Sequence, residues 1–410
     1  MAQSLGLTAY RALARRSEAH VDAPTAPRPS GELVWIHAAE PGSMIAVQDL
    51  ALRLCANRVG LNVLITLPEG TAIPARVADP HDAVLVVQSV PNEHPSSVAA
   101  FLDHWQPDIC IWVWGALRPN LILETAKRHC AQILIDADSK GFDGRRDRWL
   151  SDMTRDVLTQ FDAILTRSDT GLRRLVQLGL QRDDIEVTSP LLAGGQALLC
   201  TDSDLADLSA ALGGRPVWFA SHVLPQEAPV VLAAHRKALR LSHRLLLILN
   251  PAEAGDADAF ADQASNSDLN VIRWGGPTYP DDATQVMIAD DPGDLGLFFR
   301  VAPVSFLGSS LMSERGGADP FDAAALGSAV LYGPKVRHFM PSYTRLAAAG
   351  AARIVNDADG LGTAVSRLIA ADQAAAMAHA GWDVVSQGAA LMDRVIDLVQ
   401  DALDTRAGQP

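Results

Sequence analysis

The sequence has little cysteine and no long apolar run. Its four cysteines, Cys55, Cys110, Cys130 and Cys200, are scattered along the chain without a close pair. This spacing fits neither a zinc site nor a disulfide framework, and it indicates a reducing compartment. No run approaches the roughly 18–20 apolar residues that a membrane-spanning helix needs, and the N-terminus lacks the apolar core of a secretory signal. We therefore expect a soluble protein that stays inside the cell.

Cations are also scarce relative to anions. The 410 residues include 34 Lys and Arg against 48 Asp and Glu, which gives a formal net charge of −14 at pH 7. Nucleic-acid binding needs clustered Lys and Arg to neutralise phosphates, so no nucleic-acid partner is expected. The same acidity argues against broad adhesion to an anionic membrane. Any membrane contact must therefore be local.

Residues 4–16 could provide such a local contact. Apolar and basic side chains share this segment at helical spacing: Leu7, Tyr10, Leu13 and Ala14 against Arg11, Arg15 and Arg16. Two interpretations are open: a helix that docks on its own protein, and a weak interfacial anchor that is apolar on one side and basic on the other. Residues 21–30, rich in Pro and Ala, are predicted to be a linker. Residues 1–30 thus precede the first domain.

Strand-like and helix-like runs alternate through residues 31–195. Such alternation is typical of parallel βαβ units in a doubly wound sheet. One helix is marked at both ends, because Ser168 is a good N-cap and Gly179 a good C-cap. The predicted strands are Leu33–His37, Val63–Thr66, Val84–Gln88, Ile109–Trp114, Ile133–Ala137, Ala163–Arg167 and Glu186–Thr188.

The pattern pauses after Leu191 and begins again over residues 203–385. The second set of predicted strands is Val217–Ala220, Arg244–Leu249, Asn270–Trp274, Val286–Ala289, Val304–Leu307, Val330–Tyr332 and Arg353–Val355. The fold class is therefore α/β, with two Rossmann-like domains and a C-terminal segment over residues 386–410. Because ligands bind at the carboxyl ends of parallel strands, two such domains are expected to face each other across a cleft.

The loop after the first strand could carry chemistry. His37 ends that strand, and Gly42 would let a ligand approach the backbone where a helix N-terminus favours negative charge. Glu40 lies in the same loop and could act as a base. The structural alternatives are that Glu40 complements the helix dipole and that Ser43 is an N-cap.

A second loop has the features of a nucleotide site. Gly316 and Gly317 would expose backbone N–H groups, and Pro320 suits the first turn of a helix that carries Asp322. Backbone donors at a helix start can hold phosphate, and a carboxylate one turn in can accept ribose hydroxyls. Asp319 beside Asp322 resembles a metal site only superficially, so neither a metal ion nor another cofactor is expected. Trp112 and Trp114 are predicted to be core residues.

These loops resemble a known family. Gly316-Gly-Ala-Asp-Pro-Phe-Asp-Ala-Ala-Ala-Leu-Gly327 is similar to the G-G-H-N-P-L-E-P-A-A-L-G signature of the Kdo transferases. These are GT-B glycosyltransferases that attach 3-deoxy-D-manno-octulosonic acid (Kdo) to lipid A in lipopolysaccharide core biosynthesis. Trp35-Ile-His-Ala38, Ala220-Ser-His222 and Phe306-Leu-Gly308 resemble further family motifs in the same order. The resemblance covers roughly residues 30–370.

The resemblance implies a GT-B fold and an inverting transfer that needs no metal ion. CMP-Kdo would bind the C-terminal domain and a lipid A precursor the N-terminal domain, at the cytoplasmic face of the inner membrane. A hinge between Leu191 and Ser203 is expected, and the helix around Ala389–Leu403 should return to the N-terminal domain. The residues implied to surround the nucleotide are Ser221, His222, Gly316, Gly317, Asp319 and Asp322.

The chain departs from the family motifs at the implied catalytic positions. The family's catalytic glutamate falls on Ser43, whereas the glutamate of this chain, Glu40, lies three residues earlier. Acidic and basic residues that the family carries at other motif positions are also absent from this chain. Arg118 or Arg315 could replace the missing cations. Two hypotheses therefore remain: an active transferase with Glu40 as its base, and a non-catalytic paralogue that binds a nucleotide sugar, a lipid or a protein.

Overall fold

The computed structural model describes residues 5–16, 26–40, 43–71, 83–139, 151–194, 198–276, 279–312 and 315–408. Its internal contacts divide the chain into two compact units. Unit 1 comprises Met1–Ala193 and Gln387–Pro410, and unit 2 comprises Gly194–Ser386.

The described part of unit 1 is built on a parallel sheet of seven strands in the order β3-β2-β1-β4-β5-β6-β7. The strands are β1 (Leu33–Ala38), β2 (Asn62–Leu67), β3 (Leu85–Ser89), β4 (Ile109–Val113), β5 (Ala131–Ala137), β6 (Ala163–Thr166) and β7 (Ile185–Val187). The helices before the crossing to unit 2 are α1 (Leu5–Ala14), α2 (Met44–Asn57), α3 (Pro95–Trp105), α4 (Pro119–Lys127), α5 (Ser151–Leu158) and α6 (Asp169–Gln177).

Unit 2 repeats this architecture in its described residues, with the strand order β10-β11-β9-β8-β12-β13-β14. Its strands are β8 (Val217–Val223), β9 (Leu246–Pro251), β10 (Val271–Arg273), β11 (Val286–Ile288), β12 (Val304–Leu307), β13 (Ala329–Tyr332) and β14 (Ala352–Ile354). Its helices are α7 (Asp202–Leu212), α8 (Ala228–Leu239), α9 (Ala257–Ser265), α10 (Leu295–Val301), α11 (Pro320–Ala325), α12 (Met340–Ala348), α13 (Ala358–Leu368) and α14 (Ala371–Ser386). The predicted α/β class and every predicted strand are confirmed, with shifted ends.

The apolar residues of the central strands form the cores of the two units. All residues of β1 and β4 are buried, as expected for central strands of a parallel sheet covered on both faces. Trp112 and Trp114 are only 0% and 8% exposed and belong to the core of unit 1, which confirms their predicted role. The predicted N-cap of α6 is confirmed, because the Ser168 hydroxyl accepts the N–H of Gly171 at 3.1 Å. The C-cap residue is Leu178, and Gly179, which was predicted to be the C-cap, follows it with a left-handed φ of 96°.

Helix α1 docks on unit 1, in agreement with the first of the two interpretations of this segment. Leu7 is fully buried, and the Tyr10 hydroxyl donates to Oε2 of Glu93 at 3.1 Å. Leu13 remains 63% exposed, with Arg15 and Arg16 exposed beyond it. The helix is therefore held by one side and presents an apolar and basic end to solvent.

The last helix, α15 (Ala389–Ala407), belongs to unit 1. The N–H of Leu391 donates to Oγ of Ser189 at 3.1 Å, and Arg394 pairs with Glu186 at 2.8 Å. These contacts agree with the expectation that the final helix returns to the N-terminal half. Within the described residues, none of the helices is long and apolar enough to span a membrane.

Each sheet reverses its strand order beside its first strand. In unit 1 the reversal lies between β1 and β4, and in unit 2 between β8 and β12. Ligands of open parallel sheets bind outside the carboxyl ends of strands at such a reversal, because the flanking loops diverge there. These two places are therefore where functional side chains are expected.

Candidate functional site

At the reversal of unit 1, the turn after β4 lies against the loop after β1. Gly115 has a φ of 155°, and a Cβ on it would lie 2.6 Å from Cβ of Ala39 and 3.4 Å from Cγ of Glu40. A side chain at Gly115 would therefore collide with the Glu40 loop. The absence of a side chain lets the two turns approach each other.

Glu40 is exposed at this place, and Ser43 closes its loop. The Ser43 hydroxyl donates to the backbone carbonyl of Glu40 at 2.8 Å, and the Ser43 N–H donates to the same carbonyl at 3.1 Å. Ser43 occupies the N-cap position of α2, but its side chain caps none of the described N–H groups. The interpretation of Ser43 as a capping hydroxyl is therefore wrong. Pro41 and Gly42 lie outside the described residues.

A charged cluster that the sequence analysis missed lies at the ends of β5 and β6. Arg167 pairs with Asp138 at 2.5 Å and with Asp136 at 3.5 Å. Burial raises the pKa of Asp136, and the negative charges of Asp138 and Glu40 act in the same direction. Asp136 also has a left-handed φ of 58°. The only signal in the sequence was that a charged residue follows each of these two buried strands directly. No motif connects the two positions.

His37 is 2% exposed and is the residue before the last in β1, beside this loop. Its Nδ1 lies 2.9 Å from Oγ1 of Thr66, and that oxygen accepts the indole N–H of Trp35 at 2.8 Å. Burial and, to a smaller extent, the charge of Arg118 lower the pKa of His37 to about 3. The imidazole is therefore neutral near pH 7.

The start of α4 follows the turn after β4 and is occupied by a side chain of the protein. The Glu93 carboxylate accepts the N–H groups of Asn120 at 2.8 Å and Leu121 at 3.2 Å. Burial raises the pKa of Glu93, and those hydrogen bonds oppose the rise. Arg118, a candidate replacement cation, donates to the carbonyl of Pro91. The helix N-terminus at this reversal is thus already capped by a carboxylate.

At the reversal of unit 2, Ser221 and His222 stand near the end of β8. The backbone of His222 is left-handed, with a φ of 52°, and its N–H donates to Oδ1 of Asn250 at 3.1 Å. A Cβ on Gly308 would lie 2.6 Å from the carbonyl oxygen of His222, so the turn after β12 needs a glycine there. Ser309 donates its hydroxyl hydrogen to the same carbonyl at 2.9 Å.

Two polar atoms at this reversal lack partners. Oγ of Ser221 and Nδ1 of His222 are buried, and neither has a hydrogen-bond partner among the described residues. Burial lowers the pKa of His222, so its ring is neutral near pH 7. Buried polar atoms are normally satisfied, and those that are not often mark a place for a ligand or water.

The glycine pair is placed differently from the prediction. Gly316 and Gly317 have left-handed φ values of 81° and 89°, and the N–H of Gly317 donates to the carbonyl of Ser309 at 3.0 Å. The prediction that both glycines expose N–H groups is therefore wrong for Gly317. A Cβ on Gly316 would lie 2.8 Å from the ring of His338, so this glycine permits a close approach between two loops.

The two acids of this segment separate into different roles. Oδ1 of Asp319 accepts the N–H of Phe321 at 2.9 Å, which makes Asp319 the N-cap of α11. Asp322 lies in the first turn and is half-buried. The structure therefore gives Asp319 a capping role where a ligand contact was predicted, and it leaves Asp322 at the predicted place.

The other candidate cation, Arg315, is paired with an acid. Its Nη2 lies 2.6 Å from Oε1 of Glu253, and its side chain is 52% exposed. Because the Glu253 carboxylate neutralises it, Arg315 is poorly suited to replace a lost anion-binding residue. Among the residues that the structure describes, no group of three His, Cys, Asp or Glu side chains could hold a metal ion.

Comparisons with known proteins agree on one family. A family model described as 3-deoxy-D-manno-octulosonic-acid transferase (kdotransferase) matches residues 11–192. The 3-deoxy-D-manno-octulosonic acid transferase of Haemophilus influenzae is 25% identical over 383 residues, covering 92% of this chain and 88% of that protein. The transferase of the same name from Bordetella pertussis is 27% identical over 395 residues, with coverages of 92% and 89%.

Two further matches cover a smaller share of one of the two proteins compared. The Rickettsia felis transferase is 26% identical over 306 residues, and the chain spans 64% of its length. The crystal structure of the C-terminal CMP-Kdo binding domain of WaaA from Acinetobacter baumannii matches with a TM-score of 0.41 and 23% identity. That match covers 45% of this chain and 99% of the domain.

Proposed function

Because this chain belongs to the 3-deoxy-D-manno-octulosonic-acid (Kdo) transferase family, we propose that it transfers Kdo from CMP-Kdo to a lipid A precursor. The observation that carries the proposal is a similarity to Kdo transferases that extends over 92% of the chain and hence over both units. The reversal of each sheet supports it, because each places polar side chains where parallel sheets bind ligands.

The donor binds unit 2 in this proposal. Asp322 accepts the ribose hydroxyls from the first turn of α11, and His222 and Ser221 supply buried polar atoms near the end of β8. Gly316 allows the loop before α11 to pass close to its neighbours. Gly317 and Asp319 act indirectly, since the first bonds to Ser309 and the second caps the helix.

The acceptor binds unit 1, where Glu40 is the base. An acceptor hydroxyl oxygen attacks the anomeric carbon of Kdo, the bond to the CMP phosphate breaks, and CMP leaves with the electron pair. Glu40 takes the hydroxyl proton as the new bond forms. His37 is not suited to this role, because its ring is buried and its Nδ1 is engaged by Thr66. Ser43 supports the base through the carbonyl of Glu40.

The acceptor is a lipid, so the protein must meet a membrane surface at its cytoplasmic face. The exposed end of α1 offers Leu13 with Arg15 and Arg16 for a weak contact with an anionic bilayer. The docked side of α1, with Leu7 and Tyr10, stays on unit 1. This contact is peripheral.

A transfer assay tests the proposed function. Purified protein is incubated with CMP-Kdo and a lipid A precursor, and the lipid is examined by mass spectrometry while CMP release is measured. The expected result is a lipid heavier by one or more Kdo units, formed with equal release of CMP. Intact precursor and intact donor after incubation with well-folded protein would overturn it.

A further inference from the structure

Glu227 carries a buried carboxylate that the proposed mechanism does not use. The residue is 0% exposed and precedes α8 as its N-cap residue. Its carboxylate accepts the N–H groups of Ser309 at 2.7 Å, Ser310 at 2.9 Å and Leu311 at 2.7 Å. The N–H of Leu224 adds a fourth bond at 3.2 Å. Hydrogen bonds from backbone donors are what make a buried carboxylate tolerable.

The turn after β12 thus has the form of an anion-binding nest. Ser309 has a left-handed φ of 55°, which helps to turn the successive N–H groups of residues 309–311 toward one place. In phosphate-binding loops such a place holds a ligand oxygen. Here it holds a side chain of the protein itself, so these three N–H groups are not available to a donor phosphate.

The same turn holds the candidate donor residues in place. The Ser309 hydroxyl binds the carbonyl of His222, and the Ser309 carbonyl accepts the N–H of Gly317 at 3.0 Å. The Ser310 hydroxyl accepts the N–H of Gly333 at 2.8 Å. Any shift of the turn would therefore move the end of β8 and the loop before α11 together.

We propose that Glu227 is a positioning residue of the donor site: its carboxylate acts as an internal anion that holds the turn of residues 309–311, and through it His222 and the loop before α11. The proposal rests on the proposed function, in which unit 2 binds CMP-Kdo. It differs from a general role in stability, because it requires an anion at one place and not only a filled core.

Chemical rescue separates these two roles. Glu227→Gly removes the carboxylate and leaves a cavity that faces three N–H groups, into which formate or acetate fits. We expect the affinity for CMP, measured by calorimetry, to fall by about tenfold or more, because the turn that positions His222 and the loop before α11 loses the anion that holds it. Added formate should restore the affinity, whereas chloride at equal ionic strength should not. Hydrogen exchange of the amides of residues 309–311 should quicken in the variant and slow again with formate.

Thr201→Ala is the control within unit 2. It removes the cap of α7, in which the Thr201 hydroxyl accepts the N–H of Asp204 at 3.2 Å, and it should lower stability without affecting CMP affinity or responding to formate. If Glu227→Gly does not fold, Glu227→Gln is used, whose NH2 group replaces one carboxylate oxygen and therefore faces the N–H groups that this oxygen accepted, so that their exchange should quicken.

The outcomes separate the two proposals. Failure of the wild-type protein to bind CMP-Kdo would overturn the proposed function, while slow amide exchange that depends on Glu227 would still support its hold on the turn. Normal CMP affinity together with slow exchange of residues 309–311 in the Glu227 variants would overturn the positioning role. Weak binding that formate does not restore in a folded Glu227→Gly protein would also contradict it.

Discussion

The Ser309 hydroxyl donates to the backbone carbonyl of His222 at 2.9 Å, and both residues are left-handed, with φ values of 55° and 52°. The bond joins the turn after β12 to the end of β8, and these are the two neighbouring strands at which the sheet of unit 2 reverses its order. Left-handed backbone is costly for residues other than glycine and tends to occur where function constrains the chain. The turn at Ser309 and the end of β8 therefore support each other in a strained conformation at the candidate donor site.

Two substitutions at Ser309 separate the hydrogen bond from the strain. Ser309→Ala and Ser309→Gly both remove the bond to His222, but only glycine removes the strain of a φ of 55°. We expect Ser309→Ala to lower the free energy of unfolding by about 0.5–1 kcal/mol more than Ser309→Gly does. Urea denaturation measures the difference. Equal losses would show that the turn is not strained.

The two acids near the start of α11 should give opposite results. Asp322→Ala should weaken CMP binding by about tenfold or more in calorimetry, since it removes the acceptor proposed for the ribose. Asp319→Ala should instead lower the free energy of unfolding by about 0.5–2 kcal/mol, because it removes the cap of Phe321. Its effect on CMP affinity should be smaller than that of Asp322→Ala. A larger loss of CMP affinity in Asp319→Ala than in Asp322→Ala would contradict this assignment of roles.

The base can be tested by a substitution that removes its charge and its basicity. Glu40→Gln keeps the shape of the side chain and should lower turnover by about 10²–10⁴-fold while donor affinity is unchanged. Ser43→Ala, which removes the bond to the Glu40 carbonyl, should cost about 0.5–1.5 kcal/mol in stability with a small effect on rate. Steady-state kinetics and equilibrium binding give both quantities. A fully active Glu40→Gln protein would place the base elsewhere.

The substitution Ser43→Glu, which restores the glutamate of the family motif, tests whether the natural chain is an active transferase. In Ser43→Glu, a carboxylate returns to the position where the resembling family carries its catalytic acid. If the wild-type protein is active through Glu40, the added acid should change turnover little. Transfer that appears in Ser43→Glu but is absent from the wild-type protein would mean that the natural chain only binds its ligands. The same transfer assay distinguishes the two cases.

A buried histidine in unit 2 should make stability depend on pH. The Trp218 indole N–H donates to Nδ1 of His235 at 3.1 Å, and Nε2 lies 2.9 Å from the carbonyl oxygen of Gln285. Burial lowers the pKa of His235 from 6.5 to about 3. Since the unfolded chain takes up the proton first, stability should fall as pH drops from about 6.5 toward 3, by up to about 1.4 kcal/mol per pH unit.

His235→Gln tests this dependence. The substitution should lower stability at pH 7 and reduce the slope of the free energy of unfolding against pH below 6.5, as measured by urea denaturation at several pH values. His37, whose pKa is likewise lowered to about 3, should preserve part of the slope. An unchanged slope in His235→Gln would mean that this histidine takes up its proton equally in both states.

Membrane contact can be tested without disturbing the docked side of α1. Arg15→Glu combined with Arg16→Glu changes only exposed side chains, so stability should be unaffected. Co-sedimentation with anionic vesicles should fall, at about 1 kcal/mol for each basic residue that approaches the surface. Deletion of the segment is a poorer test, because Leu7 is buried and Tyr10 binds Glu93. Equal co-sedimentation of both proteins would exclude this contact.

The sequence by itself determined the α/β class, the strands and the capped helix at Ser168, because these depend on neighbouring residues and on the periodicity of apolar side chains. It also indicated which turns carry the candidate donor site, since Gly308 and Gly316 lie in motifs that resemble those of the family.

The tertiary structure alone decided how polar groups are paired. Glu227 lies 82 residues before Ser309, and Asp138 lies 29 residues before Arg167, so no local pattern reveals either pairing. Likewise, only the fold directs the N–H of Gly317 to Ser309. A hydrogen bond depends on the final positions of two atoms, and for residues distant in sequence those positions exist only once the sheets and the turns between them have formed.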